Sequence, residues 1–150
     1  MISQAFSLHW IKPTDLSNYK GLGKFIEDYA TINKNAIDDL KYYQRYFVNL
    51  ESKGAVACVV EHDNYIQGVA IMNIGLFAHT NKKICSVSEL YVEREYRKKG
   101  AGIALLNEIK SVLKTKGVTD ILFTAMVGTR TEKLYNKIFK KITCVYQCSL

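Results

Sequence analysis

The stretch YVEREYRKKGAGIALLNEIK, Tyr91 to Lys110, decides how the rest of the chain is read. Arg94, Arg97, Lys98 and Lys99 stand in front of Gly100-Ala101-Gly102, and the residues beyond turn helical. Upstream, KKICSVSELYVE has the pattern of a strand, so the glycines fall between a strand and a helix. A loop in that position presents free backbone N–H groups and the positive end of the helix dipole, which together bind phosphate. Gly100 and Gly102 let the chain turn with positive φ and let an anion approach the backbone without a Cβ in the way. The loop is not a Walker A motif, because no Lys-Ser/Thr follows the glycines. Nor is it a dinucleotide fingerprint, because Leu105 stands where a third small residue is required. What remains is an R-x-x-G-x-G pyrophosphate loop, set against the plainer readings of a solvated basic turn or a nucleic-acid patch.

Working outward, the 150 residues have the size and, at 48% hydrophobic, the apolar content of one ordinary domain spanning residues 1–150. A single proline, no repeat and no Ser/Gly-rich linker give no internal boundary. No apolar run approaches the roughly 18 to 20 residues that cross a bilayer, and MISQAFSLHWIK lacks the basic head and long apolar stretch of a signal peptide. A soluble cytoplasmic protein with no membrane association is expected. Cys58, Cys85, Cys144 and Cys148 fit no zinc spacing and read as reduced thiols, three of them on apolar strands. His9, His62 and His79 have no ligand spacing either, so no metal is expected.

From the N-terminus, AFSLHWIK reads as a short strand ended by Pro13. Leu16, Tyr19, Leu22, Phe25, Ile26 and Tyr29 then recur at helical spacing. A second helix is capped by Asn35, lines one face with Ile37, Leu40, Tyr43, Phe47 and Leu50, and stops at Gly54. AVACVVEHD and YIQGVAIMNIGLF read as a hairpin about Asp63-Asn64, with KKICSVSELYVE as the next strand. The helix from Gly102 is expected to bury Ile103, Leu106, Ile109 and Leu113 and to end at Gly117. DILFTAMVG is a near-continuous apolar run, as for a strand covered on both faces. A short helix over TRTEKLYNKIF and a last strand in KKITCVYQCSL complete the order βααβββαβαβ. The class is α+β, with a mixed, largely antiparallel central sheet flanked by helices.

With these elements in order, SELYVEREYRKKGAGIALLNEI resembles the central motif of the GNAT superfamily of acyl-CoA-dependent N-acetyltransferases. In that motif a strand carrying L-x-V is followed by R/Q-x-x-G-x-G/A and a long helix; here Leu90, Val92, Tyr96, the helix, the next strand and LYNKIF match in sequence. The resemblance runs residue by residue from about Ala55 to Phe139, and only in helix count before that. It implies acetyl-CoA or another acyl-CoA as donor, its pyrophosphate held by the backbone around Arg97, Lys98, Lys99, Gly100, Ala101 and Gly102. It further implies that backbone groups of Leu90, Tyr91 and Val92 hydrogen-bond the pantetheine and the acyl carbonyl, as an added strand would, and stabilise the oxyanion. Gly128 stands seven residues before Tyr135, where many relatives carry an asparagine, and no glycine separates Ile138 from Phe139.

Transfer to an amine needs one group to take a proton and another to return one to the leaving thiolate. Glu89 alternates with Val87 and Tyr91, so in a regular strand it shares a mostly apolar face, where a carboxylate is pushed toward a general base's range. The competing reading leaves it solvated or paired with a lysine. Tyr135 stands where the resemblance places the tyrosine that protonates the CoA sulfur; on its own helix it also forms an i,i+4 pair with Phe139, as packing aromatics do. Tyr42, Tyr43, Tyr46 and Phe47 form an aromatic stripe suited to core packing or to lining an acceptor cleft.

The net charge of +7 disfavours polycationic acceptors such as polyamines or aminoglycosides. Part of it would be neutralised by the coenzyme; the remainder, including Lys133, Lys137, Lys140 and Lys141, would attract a protein amine on an acidic surface or a small anionic or neutral metabolite. Direct attack in a ternary complex is expected. Two other functions stay open: a protein that binds or modifies nucleic acid, and a catalytically silent acyl-CoA-binding protein. An open edge at the last strand would be completed by a second subunit, giving a homodimer.

Overall fold

The structure, a computed structural model, describes residues 6–32, 37–77, 79–142 and 146–150. Five strands form one sheet in the order β1-β2-β3-β4-β5. They are β1 (Ser7–Ile11), β2 (Val56–His62), β3 (Tyr65–Phe77), β4 (Lys82–Val92) and β5 (Asp120–Phe123). The helices are α1 (Leu22–Ile32), α2 (Leu40–Ser52), α3 (Ala101–Thr115) and α4 (Arg130–Ile138), with 3₁₀ turns at Pro13–Asn18 and Arg94–Lys99.

The β2–β3 hairpin turns at Asp63 and Asn64, whose φ values of 49° and 63° are those of a type I′ turn, the one that matches the twist of paired strands. Strands β1 to β4 pair antiparallel, and β5 joins β4 in parallel through the crossover helix α3. Alternation along the central strands feeds two cores. Ala57, Val59, Val69 and Ile71 meet α1 and α2 on one face. Cys58, Ala70, Met72 and Cys85 meet Leu105, Ile109 and Leu113 of α3 on the other. Each of these three α3 residues is fully buried, worth about 1.5–3 kcal/mol apiece.

Three expectations need correction. The buried row of α3 is Ala101, Leu105, Ile109 and Leu113, while Ile103 is 68% exposed. At about 100° per residue, Ile103 lies some 200° from Ala101, so docking the small Ala101 on the sheet turns Ile103 outward. The second helix begins at Leu40 with the Asp39 side chain accepting from Lys41 N; Asn35 lies outside the described residues. No strand forms over Lys140–Ile142 or 146–150, where every residue is exposed and no burial offsets the entropy of ordering. The homodimer expectation therefore has no strand to rest on among the described residues. Cys58 and Cys85 are buried and Cys148 is exposed; Cys144 lies outside the described residues.

Candidate active site

β4 is the element that builds the site. Its pairing with β3 slips between Ile71 and Met72: Met72 faces Val87 and Ile71 faces Glu89, so Ser88 is an extra residue on β4, a β-bulge. The Ser88 hydroxyl donates to the Ile71 carbonyl at 3.2 Å and holds the bulge in place. The inserted residue changes the strand's phase. Val87 points into the α3 core, whereas Glu89 and Tyr91 point toward α1 and α2. The regular alternation that put Val87 and Glu89 on one face is thus overturned, while Glu89 and Tyr91 do share one.

The bulge also marks where the sheet opens. β5 pairs with Ile84 to Val87 and stops at the Val87–Phe123 rung, so among the described residues Ser88 to Val92 have a strand neighbour only in β3. The Glu93 N–H donates to Gln67 O across β3 at 2.8 Å. Because residues alternate the edge to which both their polar groups point, Val92 and Leu90 direct theirs into the opening, and Tyr91 directs its own to β3. Arg97 Nε donates to the outward Val92 carbonyl at 2.8 Å, and its guanidinium lies 5.2 Å from the Tyr91 ring centre. Arg97 therefore fastens the basic loop back onto β4. The side chain of Tyr91 is placed away from the opening: its hydroxyl donates to Asp28 on α1, which also accepts from Arg94 N at 3.1 Å.

At the far end of the opening the Arg94–Lys99 turn leads into α3 through Gly100, at φ 89° and ψ 0°. That left-handed conformation suits glycine. No side chain caps the helix, so the first N–H groups of α3 are left for an external acceptor. A Cβ on Gly102 would lie 3.6 Å from Val92 Cγ2, so the start of α3 packs against the Val92 side chain. Lys98 and Lys99 are exposed, Lys99 over the Tyr96 ring, and Ala101 is buried beneath the turn. An uncapped helix start, a glycine turn and surrounding lysines fit a pyrophosphate, and the unpaired strand edge beside them fits an amide-bearing arm.

Glu89 lines a cavity of about 50 Å³ between the sheet and helices α1 and α2. Tyr29 donates to its Oε2 at 3.2 Å, and Tyr46 also hydrogen-bonds it. Burial raises the Glu89 pKa above the ordinary carboxylate value, and the two tyrosine bonds offset only part of that. Burial, and after it the same carboxylate, raise the Tyr29 and Tyr46 pKa values. Tyr43 and Tyr46 are half-buried beside it and Phe47 is buried, lining the cavity and joining the core, whereas Tyr42, 43% exposed, does neither. Tyr29 as a partner of Glu89 was not legible in the sequence, where it reads as one more residue of a helix face.

Tyr135 is buried against Phe123 at 5.5 Å and Phe139 at 5.4 Å between ring centres. Phe123 sits on the last β4–β5 rung and belongs to the α3 side of the sheet, and Lys110 of α3 lies over Phe139. Tyr135 thus stands near the mouth of the opening on the α3 face, and Glu89 just beyond the bulge on the α1/α2 face. Burial pushes the Tyr135 pKa up to about 12. Lys133 and Lys137 share α4 with Tyr135. Among the described residues no group of three His, Cys, Asp or Glu gathers to hold a metal, and no helix is long and apolar enough to cross a membrane.

Several solved structures share this architecture. Ribosomal-protein-alanine N-acetyltransferase from Brucella melitensis biovar Abortus 2308 has a TM-score of 0.76 at 19% identity, covering 97% of this chain and 99% of that one. The aminoglycoside acetyltransferase meta-AAC0020 from an uncultured soil metagenomic sample, in complex with sisomicin, has a TM-score of 0.76 at 12% identity, covering 100% and 99%. Glucosamine-6-phosphate N-acetyltransferase from Arabidopsis thaliana has a TM-score of 0.66 at 17% identity, covering 96% and 98%. At these identities the likeness is one of fold. Among curated proteins no sequence matches. The family model described as Acetyltransferase (GNAT) family matches residues 22–139, which take in α1, the bulged strand, the glycine turn and Tyr135, and the chain belongs to that family.

Proposed function

We propose that the protein is an N-acetyltransferase that moves the acetyl group of acetyl-CoA to a primary amine by direct attack in a ternary complex. The observation that carries this reading is the opening of β4 past Ser88, with Glu89 on one face of the sheet and Tyr135 on the other. The donor reading rests on fit: the uncapped start of α3, Gly100, Gly102 and the lysines for the diphosphate, and the outward backbone groups of Leu90 and Val92 for the pantetheine arm. Arg97 acts through its bond to Val92, and Tyr91 through its latch to Asp28, each shaping this edge. Acetyl-CoA supplies an activated thioester carbonyl.

The chain's own groups account for the proton traffic. Glu89, raised by burial toward the range of a general base, takes the proton of the entering ammonium, directly or through a water. Backbone N–H groups facing the opening stabilise negative charge that develops on the carbonyl oxygen. Tyr135, with its pKa pushed up to about 12, stays protonated at working pH and can give its proton to the departing thiolate. The amine and the thiol are then served from opposite faces, and no covalent enzyme intermediate is required.

The acceptor is an amine on a protein or on a small neutral or anionic molecule. Release of free thiol from acetyl-CoA against a panel of amines tests the whole reading. Thiol release that depends on the amine supports it. Stabilisation by acetyl-CoA without release for any amine would instead leave a silent coenzyme-binding protein, and nucleic-acid affinity with no response to acetyl-CoA would leave the third alternative.

A further inference from the structure

Two buried side-chain oxygens have no hydrogen-bond partner among the described residues, and both lie at the foot of the basic turn. They are Gln67 Oε1 and Glu93 Oε2. Each of the two residues is only 1% exposed. Glu93 stands one rung beyond the Gly68–Val92 pair, and its N–H donates to Gln67 O at 2.8 Å, so the two residues face each other. Facing side chains of an antiparallel pair leave the sheet on one side, with Cβ atoms about 4.5–5.5 Å apart. Lys24 of α1 reaches Glu93 Oε1 at 3.4 Å, which puts the pair on the α1 face.

A buried acceptor without a donor is costly, and two of them side by side also repel each other. One proton relieves both. On Glu93 Oε2 it donates to Gln67 Oε1, leaves Oε1 of the acid as an acceptor for Lys24, and removes a charge from a site closed to water. Lys24 does not depend on that charge, because its nearer partner is Glu95 at 3.0 Å. The charged and titratable groups around Glu93 are Lys24 and Asp28 on α1 and Glu95 and Tyr96 in the turn. Burial raises the Glu93 pKa and outweighs the opposing Lys24, while Glu95 and Asp28 add to the rise.

We infer that Glu93 is held as a neutral acid in the native protein at neutral pH, its proton donated to Gln67 Oε1, and that it serves as a positioning residue for the coenzyme turn. The 3₁₀ segment Arg94–Lys99 starts at the next residue, and the Tyr96 N–H donates to Glu93 O at 2.9 Å. Ionised, this acid would set a buried negative charge behind Lys98, Lys99 and the start of α3, where a diphosphate is proposed to bind. Protonated, it keeps the bonds that fix the turn and withholds the charge. The link to the coenzyme rests on the acetyltransferase reading, whereas the proton itself does not. Since the folded pKa is raised, ionisation on going to alkaline pH costs both stability and anion affinity.

The test uses the full chain carrying carbon-13 at its glutamate side-chain carboxyls. The Glu93 resonance is the one missing from Glu93→Gln, and it should report a protonated carboxyl at pH 7. Glutamine can donate to Gln67 and accept from Lys24, so Glu93→Gln should melt within about 2 °C of the parent at pH 7 and above it at pH 9. In calorimetric titrations with CoA, the parent should lose about fivefold more affinity than Glu93→Gln between pH 7 and pH 9. A Glu93 carboxyl already ionised at pH 7, with Glu93→Gln the less stable protein there, would mean that the Gln67 amide is turned to donate to a carboxylate, and would overturn the inference. Parallel loss of CoA affinity in the two proteins would remove Glu93 as a positioning residue. If CoA binds neither protein, the donor reading falls, and the carboxyl resonance still decides the proton.

Discussion

Replacing Glu89 by glutamine separates two effects that the cavity places on one side chain. The carboxylate is held out of water, and its raised pKa says that this cost outweighs the hydrogen bonds from Tyr29 and Tyr46. Between the ordinary carboxylate value and the raised folded value, the native state holds a proton that the unfolded state has released. Stability from this group therefore falls as pH rises through that window, and below it the group costs nothing. Glutamine keeps the shape and one carbonyl acceptor for a tyrosine hydroxyl but carries no charge. Glu89→Gln is therefore expected to be the more stable protein at pH 8, each kcal/mol relieved raising Tm by about 2–4 °C for a chain of this size. Near pH 4.5 the two proteins should melt together. Activity should move the other way: kcat falls by about 10² or more, and the acid limb of the pH–rate profile, set in the parent by deprotonation of Glu89, disappears. Urea or thermal melts from pH 4.5 to 8.5 and initial rates over the same range give both readouts. A variant less stable at pH 8, or one as active as its parent with the acid limb intact, would refute the buried-base argument.

Saturating acetyl-CoA, at about 100 times its dissociation constant, should add roughly 2.7 kcal/mol to the unfolding free energy. Gly100→Val should abolish that shift in a thermal melt, because it puts a branched side chain at φ 89° beside the helix start, whereas Lys98→Ala should only reduce it. Tyr135→Phe should leave the coenzyme-induced shift intact and lower kcat by about 10² to 10⁴; an unchanged kcat would return Tyr135 to the Phe123–Phe139 packing. Gly68→Ala should cost about 1–3 kcal/mol in a urea titration, since its Cβ would meet Val60 Cγ1 at 2.9 Å and the Tyr91 carbonyl at 3.2 Å inside the buried sheet.

The parts of the fold that the sequence reveals are those set by local chemistry. Asp63-Asn64 marked the hairpin because both residues tolerate positive φ, and Gly100 marked the loop-to-helix turn for the same reason. What escaped was set by events that periodicity does not record. The bulge at Ser88 rests on one hydroxyl meeting a carbonyl on the neighbouring strand, a contact no pattern within β4 encodes, and it reversed the relation of Glu89 to Val87. The face of α3 followed from the small Ala101 docking on the sheet, where counting apolar residues favoured the larger Ile103. The tyrosine partners of Glu89 lie on α1 and α2, 60 residues away in the case of Tyr29, and only tertiary folding joins them.

In the proposed reaction the bulge lets one strand serve two substrates. Were Ser88 kept in a regular ladder instead of a bulge, Glu89 would share the face of Val87 and fall on the α3 side with the other core residues. Because Ser88 is taken up as a bulge, Glu89 turns toward the α1/α2 cavity at the point where β5 ends and the outer edge of β4 opens. The backbone edge of Leu90 and Val92 and the side chain of Glu89 then belong to neighbouring residues but face different compartments, one toward the glycine turn and one toward the tyrosines. α1 ties these compartments together: Tyr29 holds Glu89, Asp28 holds both Tyr91 and the Arg94 amide, and Lys24 reaches Glu93 at 3.4 Å and Glu95 at 3.0 Å. The basic turn is thus bonded directly to the helix that walls the Glu89 cavity.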